Sequence, residues 1–95
     1  MALTDAQKKQ LRGRSHALKP VVQIGQAGLT ANVLHEIEQA LEHHELIKLK
    51  ARVGDKETRE TVLAELINTT GAELVHKIGN VAVIYRQATP AARSG

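Results

Sequence analysis

The chain of 95 residues has no cysteine, no tryptophan, no phenylalanine and a single tyrosine. Without cysteine there can be no disulfide, no thiolate zinc ribbon and no thiol nucleophile, which fits a reducing compartment such as the cytoplasm. The scarcity of rings excludes the stacking platforms on which RRM, OB and cold-shock modules hold unpaired bases. A nucleic-acid partner would have to be gripped through phosphates, sugars and shape. Long apolar runs are also missing: none approaches the ~20 residues that span a bilayer. The first residues are polar and charged, unlike a secretory leader. A soluble protein with no membrane partner is expected.

What is present is aliphatic. Twenty-five Ile, Leu and Val residues must build the core, and a chain of this size buries roughly 60–70% of its unfolded surface, enough for one domain. The net charge is only +3 but is unevenly distributed. Residues 1–24 carry +4 through Lys8, Lys9, Arg12, Arg14 and Lys19 against Asp5, residues 25–75 carry −4, and residues 76–95 carry +3. Basic ends suit a polyanionic partner, although solvated charge alone can give the same pattern.

Thr4 can cap a polar helix from Asp5 to about His16 whose few apolar residues (Leu3, Leu11, Leu18) suit docking rather than a central position. Pro20 then enforces an extended chain, and Val21-Val22-Gln23-Ile24 reads as a strand. From Thr30 to His44, Val33, Leu34, Ile37, Ala40 and Leu41 recur at helical spacing. Ile47, Leu49, Ala51 and Val53 alternate with Lys48, Lys50 and Arg52, giving a strand with three cations on its wet face. Asp55 or Thr58 can cap a third helix running to about Thr69 and stopped by Gly71. Gly79-Asn80 joins two further strand-like runs, 74–78 and 81–86, in a tight hairpin. Residues 87–95 lack apolar content and are expected to form a loose tail after a domain of residues 1–86.

The fold class is therefore α/β, a two-layer α-β-α-β-α-β-β domain with a mixed four-stranded sheet. Strands one and two pair in parallel through a right-handed crossover, and the hairpin completes the sheet. Helices two and three cover one face, leaving the other to helix one, solvent or a partner.

Between the first strand and helix two lies Gly25-Gln26-Ala27-Gly28. Two glycines free the backbone and leave room for a phosphate at a helix start. Yet 7 glycines in 95 residues yield about half a GxxG match by chance, and a plain strand-to-helix turn would look the same. The surrounding run is more specific. Leu18-Lys19-Pro20-Val21-Val22, then Ile24 to Thr30, Val33 and Glu36 to Lys48 resemble the bacterial YhbY-type proteins of the CRM (chloroplast RNA splicing and ribosome maturation) family. So do Arg59-Glu60-Thr61, Thr70-Gly71-Ala72, Ile78-Gly79 and Tyr85-Arg86, so that the resemblance spans residues 3 to 86. It implies a fold similar to the C-terminal domain of translation initiation factor three. It also implies contact with RNA through the GxxG loop and nearby cations, and association with precursors of the large ribosomal subunit.

Carried over, the RNA-contacting residues are Gly25, Gln26, Ala27 and Gly28. No cation sits inside the loop, so charge must come from elsewhere. If helix one lies antiparallel to strand one, Lys8, Lys9 and Arg12 return toward the loop. Lys50 and Arg52 approach from the parallel strand, with Lys48 further off and Arg14 and Lys19 further still. Catalysis is not expected. GQAGLTAN lacks the GxxxxGK[ST] spacing, and neither a dinucleotide fingerprint nor a nucleophile triad is recognisable. His35, His43 and His44 miss the HExxH spacing, so neither a metal nor a cofactor is expected. The second reading is a protein-interaction module in which Glu36, Glu38, Glu42 and Glu45 on helix two bind a basic ribosomal protein. A solvated helix face would show the same acids. A monomer is expected in either case.

Overall fold

The computed structural model describes residues 3–88. Its elements run α1 (Asp5–Ser15), β1 (Pro20–Ile24), α2 (Ala31–His44), β2 (Leu46–Ala51), α3 (Lys56–Thr70), β3 (Glu73–Ile78) and β4 (Val81–Tyr85). Each helix begins where a short polar side chain accepts from an N–H that has no partner inside the helix. Thr4 Oγ1 accepts from the Gln7 N–H at 3.1 Å while Gln7 Oε1 accepts from the Thr4 N–H at 2.9 Å, a reciprocal capping box. Thr30 accepts from the Val33 N–H at 3.2 Å. Of the two candidate caps for α3, Asp55 is used, accepting from the Thr58 N–H at 2.9 Å. That hydrogen bond holds the Asp55 carboxyl below the usual carboxylate range. Gly71, at φ 73°, stops the same helix.

The sheet order is β1-β2-β4-β3, with β1 and β2 parallel and the other two pairs antiparallel. Strand alternation sends Val22, Ile24, Ile47, Leu49, Ala82 and Ile84 to one face, where they meet Ile37 and Leu41 of α2 and Leu63 and Leu66 of α3. The opposite face turns Leu46, Val75 and Val83 toward Leu11 of α1, with Leu3, Leu18 and Tyr85 closing a smaller cluster.

Helix α1 does not lie antiparallel to β1, the arrangement under which Lys8, Lys9 and Arg12 would return toward the loop. Leu3 and Gln7 lie beside Glu73, Tyr85 and Arg86, whereas Arg14 and Leu18 lie beside His44, Leu46 and Lys48. Glu73, Tyr85 and Leu46 are register partners across β3, β4 and β2, at the end of the sheet remote from the glycine loop. The helix therefore crosses the strands at that end, from the β3 side to the β1 side. Burial explains the direction. On this face β1 offers only Val21 and Gln23, both exposed, while Leu46, Val75 and Val83 give the three leucines of the α1 region an apolar seat.

Arg86 closes the far end of the domain. Its guanidinium donates to Glu38 at 2.5 Å, to Glu42 at 3.1 Å and to the Thr70 carbonyl at 2.9 Å, joining β4 to α2 and the end of α3. The chain stays on the domain past the expected boundary at residue 86: Ala88 is buried, and its N–H donates to the Glu45 carboxylate at 2.7 Å. The rest of the expected tail, residues 89–95, lies outside the described residues.

Candidate nucleic-acid interface

The glycine loop leaves the sheet where β1 ends, and the Ile24 carbonyl accepts from the Arg52 N–H at 2.7 Å. The loop closes on itself, the Gly28 N–H donating to the Gly25 carbonyl at 2.9 Å. Gln26, expected to face the partner, turns its side chain to the neighbouring loop instead, where Oε1 accepts from the Gly54 N–H at 3.3 Å. What Gln26 and Ala27 present outward is therefore mainly backbone. The two glycines differ in need. Gly28 has φ 75°, which costs an L-residue about 1–2 kcal/mol. Gly25 is not in that region, and a Cβ there would meet nothing within 4 Å. Gly28→Ala should thus lower stability by about 1 kcal/mol, and Gly25→Ala should leave it unchanged or slightly raised, as checked by thermal melts of both variants.

Beyond the loop, Thr30 occupies the Val33 N–H, but the N–H groups of Ala31 and Asn32 have no acceptor among the described residues. No acid stands in the first turn of α2. Loop and helix start together form an edge favourable to an anion.

The cations reach this edge by two routes. On β2, Lys48 and Lys50 alternate with the buried Ile47, Leu49 and Ala51, so they project on the α1 side, and Arg52 follows at the loop edge. On α1, Leu11 faces the sheet. At 100° per residue, Gln7 and Arg14 then fall on the flank turned away from the loop, in agreement with their neighbours at the far end. Lys8 and Arg12 fall on the opposite flank, facing the glycine loop across the open sheet, and Lys9 points away from it. Lys8 is half-buried. Helix periodicity thus turns Lys8 and Arg12 toward the loop edge on the side of the sheet that also carries Lys50. Lys9 stands apart from them.

Ion pairing sharpens the contrast. Among the described residues the ion pairs are Lys77 with Glu60 at 3.1 Å and Arg86 with Glu38 and Glu42 at 2.5 and 3.1 Å. Lys77 and Arg86, the described cations of the C-terminal segment, are therefore both engaged by carboxylates, and Lys77 holds the Glu60 carboxyl below its ordinary range. The cations of α1 and β2 have no such partner among the described residues. Lys56 and Arg59 were missed by the sequence reading. They line a notch with Gly79 and Asn80 at the loop edge. The Asp55 cap directly after β2 is the signal that places them there.

The acidic surface expected on α2 is mostly engaged. Glu38 and Glu42 hold Arg86, and Glu45 accepts from the Ala88 N–H. No cluster of three metal-ligating side chains occurs among the described residues.

A family model described as the CRS1 / YhbY (CRM) domain matches residues 3–86. A Haemophilus influenzae protein named RNA-binding protein is 46% identical over 84 residues, covering 88% of this chain and 85% of its own. Pseudomonas aeruginosa PA4753, named a probable RNA-binding protein, is 45% identical over 87 residues, 92% of this chain and 84% of that one. The solution structure of the hypothetical protein SAV1595 from Staphylococcus aureus superposes with a TM-score of 0.80 at 35% identity, covering 93% of this chain and 92% of that one.

Proposed function

This chain belongs to the CRS1 / YhbY (CRM) domain family, and from that premise we propose that it binds structured RNA, the ribosomal RNA of large-subunit precursors, without catalysing a reaction. The observation that carries the reading is that Lys8, Arg12, Lys50 and Arg52 form no ion pair among the described residues and turn toward the edge that carries an anion-ready glycine loop. Relatives named for RNA binding support it. The contact is made through phosphates, because the chain has no Phe or Trp and its one tyrosine, Tyr85, packs against the α1 cluster and offers no base a stacking surface.

Replacing Lys8 and Arg12 together by Ala should weaken RNA binding across sequences and lower the slope of log affinity against log salt by about one per cation. An unchanged slope would place α1 outside the interface. Gly25→Ala, neutral for the fold, should reduce affinity if a phosphate approaches the bare Cα. The ribosomal assignment is tested by crosslinking in cells, where reads should concentrate on large-subunit RNA. Reads spread over messenger RNA would reject it.

A further inference from the structure

At the end of β1 opposite the glycine loop, the last turn of α1, the α1–β1 connection and the start of β2 converge on a notch. Arg14, Lys19 and Lys48 line it, together with His44, Val21 and Leu46, and among the described residues no carboxylate does. None of the three cations forms an ion pair among the described residues. The negative ends of the α1 and α2 dipoles account for Arg14 and His44. They do not account for Lys19, in the connection, or Lys48, inside a strand.

Val21 alternates with the buried Val22 and Ile24 and is 52% exposed, so the notch opens on the same side of the sheet as Lys50. The length of β1, about 17 Å, separates it from the glycine loop. A partner touching both places must carry phosphates at both. A single strand could bridge them only if its bases were held between, and the β1 and β2 residues on this side of the sheet, Val21, Gln23, Lys48 and Lys50, include no ring. A double helix presents two rigid backbones and asks for no base contact.

We infer that Arg14, Lys19 and Lys48 form a second phosphate-contact patch, and that the RNA bound is a double-helical segment with one backbone at the glycine loop and the other at this notch. The inference rests on the RNA reading above. It is tested on the full chain with two probes, an RNA hairpin whose stem is about 16 base pairs, the span of a double-stranded-RNA module, and an unpaired RNA of equal length. The protein should prefer the hairpin at least tenfold. The triple variant R14A/K19A/K48A should lose tenfold or more on the hairpin, and its salt slope should fall by about one per cation. Lys19→Glu alone, at an exposed connection residue, should move affinity the same way and keeps the test open if the triple variant does not fold. Hairpin binding that is steep in salt yet unchanged in both variants overturns the second patch and leaves RNA binding intact. Equal affinity for unpaired RNA overturns the double-helical assignment. Binding of neither probe by the unmodified chain removes the RNA reading and this inference with it.

Discussion

Arg86→Ala should lower the unfolding free energy by about 2–3 kcal/mol and the melting temperature by about 10–15 °C. The guanidinium serves three acceptors at once, Glu38, Glu42 and the Thr70 carbonyl. Removing it leaves two carboxylates one helical turn apart with no cation between them, and an uncapped carbonyl at the end of α3. A solvent-exposed pair would contribute less than about 1 kcal/mol, and a fully buried one would cost about 3–5 kcal/mol to break. Arg86 lies between these limits, its side chain 20% exposed. Arg86→Lys should recover only part of the loss, because an ammonium cannot reproduce the planar fork. In the Arg86→Ala background, replacing Glu38 and Glu42 by Gln should recover some of it by removing their repulsion. Urea titration of the four proteins decides the matter, and a midpoint for Arg86→Ala close to the parent would show the cluster to be energetically idle.

The same residue shows where sequence reading reaches its limit. Arg86 is an uncommitted cation when met in the chain, and its carboxylates lie 44 and 48 positions earlier. Only the fold brings them together, and with them goes most of the acidic surface suited to a protein partner. Local chemistry was far more legible. Thr4, Thr30, Asp55, Gly71 and the Gly79-Asn80 turn each act within three or four residues, so the element order and boundaries follow from them. The parallel pairing of β1 and β2 follows from the crossover. The insertion of β4 between β2 and β3 has no comparable local signature. Three leucines spaced seven and eight residues apart announce that α1 docks, but its direction depends on where the sheet exposes Leu46, Val75 and Val83. The loop cations illustrate both cases. Lys50 and Arg52 were readable from strand alternation, whereas Lys8 and Arg12 face the loop from across the sheet rather than from beside β1. Lys56 and Arg59 needed the edge itself.

Reversing charge on β2 should separate affinity from stability. Lys50→Glu with Arg52→Glu is expected to weaken RNA binding about a hundredfold near 0.1 M salt, because two phosphate contacts are lost and two repulsions replace them. The fold should not suffer. Lys50 pairs across the sheet with Gln23 and Val81, both uncharged, so no ion pair is broken. Lys48 shares this strand face with Lys50, and a carboxylate beside it replaces a like-charged neighbour with an opposite one. The melting temperature should therefore stay level or rise by about 1–3 °C while affinity collapses, opposite signs that a merely structural role could not produce. Melts and salt-dependent binding measured on the same preparation check both. A variant that loses stability and affinity together would mean that Lys50 and Arg52 hold the sheet rather than the RNA. A like-charged cluster kept on a small domain at some cost to its stability is the physical mark of a surface built for a polyanion.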